Sequence, residues 1–395
     1  MIHGRALATA AVALALTACE RKPAPGSPPG PGAAGEPILL GLVASLTGSE
    51  ATFGDSSDKG IRLAVDEVNA AGGVKGRRLA VKTYDDQGKA EEASVAATRL
   101  VVQDRAAVLL GEVASSLSLA MAPIADAKGV PMISPSSTNP RVTVDDEGKV
   151  RPFVFRVCFT DPFQGMVMAR FAREKLGLGK VAILRDVKNA YSVGLADYFL
   201  SRFTELGGTV VDDQSYKAGD PDFKAQLTAI KGKGPEAVYI PGYYGDVGLI
   251  ARQARELGMK QTLLGGDGWD SARLFEIGGH ALEGSYFSNL YSPDDPAPRI
   301  QEFVAKYRAR HGVVPDSLAA QAYDAARIAA DAMARAPDLS GTAIRDALAA
   351  TRGYPGVTGV ITIDEHHDAV KPAVVLEVRG GAARWVATIE ADARK

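Results

Sequence analysis

From Ile38 onward, short runs of unbroken apolar residues alternate with longer stretches whose apolar positions return every three or four residues. ILLGLVA (38–44) is apolar throughout, the pattern of a parallel strand covered on both faces. GIRLAVDEVNAAGG (60–73) sets Ile61, Ala64, Val65 and Val68 on one helical face and stops at Gly72-Gly73. LAVKTY (79–84) predicts the next strand, EEASVAATRLVVQ (91–103) the next helix, and AAVLL (106–110) the strand after it. A helix over 160–177 opens on Thr160 or Asp161 as a cap, carries Pro162 in its first turn and ends on Gly177. VAILRD (181–186), AVYIPG (237–242) and TLLGGD (262–267) repeat the step from strand to loop. This alternation predicts doubly wound α/β architecture with largely parallel sheets. The end of the chain differs: SGTAIRDALAATRG (340–353) reads as a helix, and GVITID (359–364), the turn EHHD, and AVVLEVRGGAARWVATI (373–389) read as hairpin-joined strands that complete an existing sheet.

The first residues do not follow this pattern. MIHGRALATAAVALALTAC puts Arg5 ahead of an Ala/Leu/Val run too short to span a bilayer, which predicts a secretory signal. Ten of the eighteen residues in ERKPAPGSPPGPGAAGEP (20–37) are Pro or Gly, so the segment reads as a tether and not as part of a sheet or helix. Leu16-Thr17-Ala18-Cys19 is similar to the lipobox of bacterial lipoproteins, which implies cleavage before Cys19 and acylation of that residue. Cys158 is then the only other cysteine, which leaves the body without an internal disulfide and reads as a small buried hydrophobe.

The length of 395 residues predicts two domains. A net charge of −2 gives no support to nucleic-acid binding. Candidate chemistry sits where strands end. AAVLL is followed by GEVASS, with Ser115, Ser116 and Ser118 at the start of a helix, and VPMIS (130–134) is followed by PSSTNP. Ligands of open α/β sheets lie beyond the carboxyl ends of the strands. Hydroxyls and helix-start N–H groups there can cradle a carboxylate or phosphate, although Ser and Thr also cap helices with no ligand at all.

The strings ASLTGSEATFGDSSDKGIRLAVDEVNAAGGVKGRRLAVKTYDD (44–86), VPMISPSSTNP (130–140) and VAILRDVKNAYSVGLADYF (181–199) resemble type I periplasmic binding proteins of the leucine/isoleucine/valine-binding family. The resemblance runs from about Ile38 to the end. It implies two doubly wound α/β lobes joined by three crossovers, a clamshell that closes on an amino acid. The lobes are expected at 38–157 with 284–357 and at 158–283 with 358–395, after a signal at 1–19 and a tether at 20–37. Carried onto this chain, the ligand carboxylate meets Ser115 and Thr138, with a backbone contact at Ser136, and the ammonium meets Asp267 in GGDGWD. Asp267 stands where relatives often have Glu, one methylene longer, so a bridging water is an alternative to direct contact. Tyr191 and Tyr243 wall the cleft, Phe53 lies near the ligand side chain, and Trp269 and Leu117 are further pocket candidates that packing alone would also explain. Some relatives tie the second and third loops by a disulfide, whose positions here are Gly88 and Ala114, so the serine loop must be fixed by packing and hydrogen bonds.

The resemblance further implies an ABC-transporter permease as partner, a lipid anchor at Cys19 on a bacterial membrane (periplasmic or cell-surface), a monomer, and no cofactor or metal. A sensor built on the same clamshell is an open alternative, and so is a binder of amides, urea-like solutes or aromatic acids. Enzyme chemistry finds little footing: the sequence has no HExxH, GxSxG or P-loop lysine motif, and no GxGxxG follows the first strand. His366-His367 is expected to be a turn between two strands and not a metal site.

Overall fold

The computed structural model describes Met1 and residues 35–390. The expected signal, Cys19 and nearly all of the tether lie outside the described residues. Five strands form the first sheet: β1 (Ile38–Ala44), β2 (Leu79–Asp85), β3 (Val108–Leu110), β4 (Met132–Ser134) and β5 (Val154–Arg156). All pair in parallel, in the order β2-β1-β3-β4-β5. The unbroken apolar runs become its centre, with Leu40, Leu42 and Val108 to Leu110 fully buried. Three helices supply the crossovers: α1 (Ala51–Ala70), α2 (Ala90–Val102) and α3 (Ser115–Lys128).

The chain then passes into α4 (Asp161–Arg170), which runs on as a π-turn over Phe171–Lys175. The second sheet follows, with β6 (Lys180–Asp186), β7 (Thr209–Tyr216), β8 (Ala237–Tyr239), β9 (Thr262–Gly265) and β10 (Tyr286–Asn289). Its helices are α5 (Ala190–Glu205), α6 (Lys224–Gly232), α7 (Tyr244–Glu256) and α8 (Ala272–Gly278). The chain returns to the first core through α9 (Pro298–His311), α10 (Ser317–Arg335) and α11 (Gly341–Ala349). Helices α1 and α10 approach closely at Gly60, where a Cβ would stand 2.2 Å from the Ala319 carbonyl oxygen. A small antiparallel sheet of β11 (Tyr354–Gly356), β12 (Gly359–Ile363) and β13 (Ala369–Val370) packs Ile361, Ile363 and Ala369 into that same core. Finally β14 (Ala373–Arg379) and β15 (Ala382–Ile389) add antiparallel strands to the second sheet, giving the order β15-β14-β10-β9-β8-β6-β7.

Two expected boundaries shift. Tyr286–Asn289, assigned above to the first lobe, hydrogen-bonds between β9 and β14 and so belongs to the second sheet. Residues 359–370, assigned to the second lobe, stay with the first core because their apolar side chains are buried there. The chain therefore crosses between sheets after β5, after β10 and between Val370 and Ala373. The first helix also starts earlier than its apolar stripe suggests, at Ala51. Its opening turns carry Gly54, where a Cβ would stand only 1.9 Å from the Ser45 carbonyl oxygen, so this end lies directly against the end of β1.

Candidate functional site

The hydroxyl-rich ends of β3 and β4 divide their labour. Ser118, Ser134 and Ser137 all turn to one backbone carbonyl, that of Glu112, at 2.9, 2.7 and 3.0 Å. Ser137 also lies 2.9 Å from the Val113 carbonyl oxygen and 2.7 Å from the Ser118 hydroxyl. These three serines knot the two loops together inside the lobe. Ser115, which opens α3, and Ser136, which follows β4, are left at the cavity. The Ser115 hydroxyl accepts from the Asn139 N–H at 3.3 Å, so its own proton is free for a ligand oxygen.

The same loops are fixed to their neighbours by carboxyl groups. Glu112 accepts from the Ala114 N–H at 2.6 Å and from the Ser45 N–H at 3.0 Å. The Ser45 hydroxyl donates to Asp86 at 2.7 Å, and the same Asp86 oxygen accepts from the Gly88 N–H at 2.9 Å. A chain of hydrogen bonds, buried from Asp86 onward, thus connects Gly88 to Ala114, the two positions without a disulfide.

The second lobe faces these loops with one carboxylate and a set of rings. Asp267 follows β9 at the start of a short 3-10 turn, Asp267–Trp269. Gln164, on α4, donates from Nε2 to Asp267 Oδ1 at 2.8 Å and to the Ser288 hydroxyl at 3.0 Å. From across the cleft the Ser136 hydroxyl donates to Asp267 Oδ2 at 3.4 Å. Burial pushes the Asp267 carboxyl up to about 6, and hydrogen bonds from Gln164, Tyr191 and Ser136 offset only part of that. Tyr191 stacks on Tyr243 at 5.3 Å, Phe53 meets Tyr243 edge-on at 5.3 Å, and Phe53 meets Tyr244 at 5.0 Å.

Phe53, Val113, Ser115, Ser136, Tyr191, Tyr243, Asp267, Gly268 and Leu318 line a small, tightly closed cavity between the lobes. No lysine, arginine or histidine is among its lining residues. The two lobes are closed on it, joined outside the cavity by Ser116 with the Ala190 N–H (3.0 Å), Asn139 with the Ala190 carbonyl (2.8 Å), Thr52 with Ser271 (3.0 Å) and Asp270 with the Ser317 N–H (2.8 Å). A larger, more open groove runs along α4 and α5, past Phe163, Met166 and Tyr198. It lies on one lobe and lacks the convergence of opposed polar ends, so chemistry favours the smaller, interlobe cavity.

Six expected residues meet at this cavity: Phe53, Ser115, Ser136, Tyr191, Tyr243 and Asp267. Thr138 does not line it; it is fully buried beside Asp161, and its hydroxyl makes no hydrogen bond of normal geometry. Trp269 is a core residue of the second lobe, packed on Phe287 with Nε1 donating to the Ile240 carbonyl at 2.9 Å. Leu117 is likewise core, on the first lobe. Sequence reasoning missed Val113, Gly268, Leu318 and Gln164. Leu318 sits far along the chain from both serine loops, and neither it nor Gln164 carries a local motif. Cys158 is buried, and burial pushes its thiol up to about 12. His366-His367 forms the β12–β13 turn; His367 is half-buried, its ring stacked 4.0 Å from Phe155 with Nδ1 3.1 Å from the Arg151 and Val154 carbonyls. Among the described residues no group of three or more His, Cys, Asp or Glu side chains is placed to hold a metal ion.

Residues 37–383 match the family described as periplasmic binding protein. The Leu/Ile/Val-binding protein homolog 3 of Brucella melitensis is 32% identical over 337 residues, covering 85% of this chain and 89% of the relative. Among solved structures, the leucine binding protein LivK of Thermotoga maritima is 40% identical with a TM-score of 0.85, covering 90% of this chain and 99% of its own. LivJ of Streptococcus pneumoniae, a branched-chain amino acid transporter substrate binding protein solved with isoleucine, is 34% identical with a TM-score of 0.83, covering 89% of this chain and 99% of its own.

Proposed function

The chain belongs to the periplasmic binding protein family, and from that premise we propose that it captures a branched-chain or other hydrophobic amino acid between its lobes and delivers it to the permease of an ABC importer. One observation carries the reading: a single apolar-walled cavity has the Ser115 hydroxyl and a helix start on the first lobe's side and a buried carboxylate on the second's, with the Ser136 hydroxyl reaching across to that carboxylate. That is the complement of a zwitterion with an apolar side chain. The Ser115 hydroxyl and the α3 N-terminus receive the carboxylate, Asp267 receives the ammonium, and Phe53, Tyr243, Val113 and Leu318 surround the side chain.

Energetics are adequate. Micromolar binding requires about −8.2 kcal/mol. Charge-assisted hydrogen bonds contribute about 1.5–3 kcal/mol each, and burial of a branched side chain adds about 1.5–3 kcal/mol. Closure follows as a population shift, because only the closed form brings Ser115 and Asp267 to the same solute. An aromatic acid or an amide would leave one end without its counterpart; for an acid without an amine that end is Asp267, buried and with no cation in the cavity lining. The proposal extends to a monomer held outside the cytoplasm by a lipid on Cys19, with residues 20–37 as its tether.

A thermal-shift screen of the purified protein tests the ligand class. Leucine, isoleucine, valine and phenylalanine stand against polar amino acids, benzoate and urea. A ligand at 100 times its dissociation constant stabilises the fold by about 2.7 kcal/mol. Shifts with the hydrophobic amino acids alone support the proposal; shifts with benzoate or urea and none with leucine overturn it.

A further inference from the structure

Glu112 does not line the cavity, yet the loops that do so in the first lobe are tied to it. Its carboxyl spans the Ala114 N–H at 2.6 Å and the Ser45 N–H at 3.0 Å. Its carbonyl gathers the hydroxyls of Ser118, Ser134 and Ser137. One residue, 1% exposed, therefore joins the loops after β1, β3 and β4, and through Ser45 and Asp86 it reaches the loop after β2. Ala114, which Glu112 holds, is the residue immediately before Ser115 and α3.

We propose that Glu112 is the positioning residue of the anion-receiving end of the cleft. By holding two backbone N–H groups on one carboxyl, it fixes where α3 begins and so where the Ser115 hydroxyl sits. The inference rests on the reading of Ser115 as a ligand contact. A buried carboxyl with both oxygens occupied is a stiffer tie than a hydrophobic contact, because moving either loop would strand a buried donor. The groups facing it are acidic: Asp86 at the end of β2 and Glu50 at the entry to α1. With burial, they push the Glu112 carboxyl well above the usual carboxylate range, against the pull of the Ala114 and Ser45 N–H groups.

Two variants of the full chain, Glu112→Ala and Glu112→Gln, test the assignment by amide hydrogen exchange without ligand and by leucine titration. In Glu112→Ala the Ser45 and Ala114 amides should exchange about tenfold faster or more, with Gly268 across the cleft unchanged, and leucine should bind about tenfold more weakly. Glu112→Gln keeps one carbonyl oxygen for Ala114, so protection there and most of the affinity should return while Ser45 stays fast. Unchanged amides in Glu112→Ala overturn the proposal. So does leucine affinity within about twofold of wild type, about 0.4 kcal/mol, or a Gln variant as impaired as the Ala one. If the Ala variant does not fold, the Gln variant decides, by whether Ser45 alone loses protection. A wild type that ignores leucine would sink the functional reading, and the exchange comparison would still decide on Glu112.

Discussion

On the proposed reading, the two faces of the cleft meet opposite charges with opposite construction. The first lobe offers no charged side chain to the cavity; it offers Ser115, Ser136 and the start of α3, dipoles that are useful only when their directions are fixed. Holding them takes a knot of serines around one carbonyl and a carboxyl on two N–H groups. The second lobe offers one full charge, Asp267, aimed chiefly by Gln164 and set among rings. Recognition by dipoles is spread over many groups, each replaceable in part, whereas recognition by a charge is concentrated in one.

This contrast sets the order of expected losses. The largest is Asp267→Ala: leucine binding should fall by about 100-fold or more, since truncating one partner of a buried charge pair costs about 2–5 kcal/mol. Isocaproate, which has the same skeleton without the amine, should lose little, and calorimetric titration of both reads the difference. Equal losses would break the assignment of Asp267 to the ammonium.

Next comes pH. The Asp267 carboxyl, pushed up to about 6, must be ionised to receive an ammonium, so leucine affinity should hold above pH 6 and fall as pH drops through it, about tenfold one unit below. Unliganded stability should run the other way. Asp161 is raised to about 8, Asp316 to about 7 and Asp267 to about 6, mainly by burial. Folding therefore favours their protonated forms. That stabilisation is complete below the ordinary carboxylate range and is lost as pH rises through about 6 to 8. Melting curves at pH 5 and pH 8.5, with and without leucine, should cross over in this sense; ligand affinity that is flat from pH 7 to pH 5 would contradict the role of Asp267.

Ser115→Ala should cost less, on the order of tenfold, near the low end (about 1.5 kcal/mol) of the worth of one hydrogen bond to a charged group, because neighbouring N–H donors remain. It should weaken leucine and isocaproate alike, because both carry the carboxylate. The smallest effect on binding belongs to Trp269→Phe. That ring is buried against Phe287 and bonded to the Ile240 carbonyl, so the variant should lower the melting temperature and leave leucine affinity within about twofold.

Much of this arrangement was legible in the chain. Apolar runs such as ILLGLVA can only be satisfied in the middle of a sheet, and β1 is buried there. Clusters of Ser after two strand ends predicted a cradle because those ends are neighbours, and β3 pairs with β4. Their main task, satisfying the Glu112 carbonyl, was not legible, because a hydroxyl's partner is chosen in three dimensions. Trp269 misled for the same reason: the local string GGDGWD sets it beside Asp267, yet its ring turns into the core. Tyr286–Asn289 shows the limit for topology. Nothing within YFSN says which sheet it joins; the pairing partners, Leu264 with Gly265 and Val374 to Glu377, lie elsewhere in the chain. Leu318 enters the cavity from α10, roughly 200 residues from Ser115, by packing alone.

The measurement that bears most directly on two-ended recognition is titration of the wild-type protein at pH 7.5 with leucine, isocaproate and isoamylamine. The three share one apolar skeleton and differ only in which charged ends they carry. Tight binding of leucine, with each single-ended analogue weaker by about 100-fold or more, is the result this account predicts. Isocaproate or isoamylamine binding as tightly as leucine would contradict it.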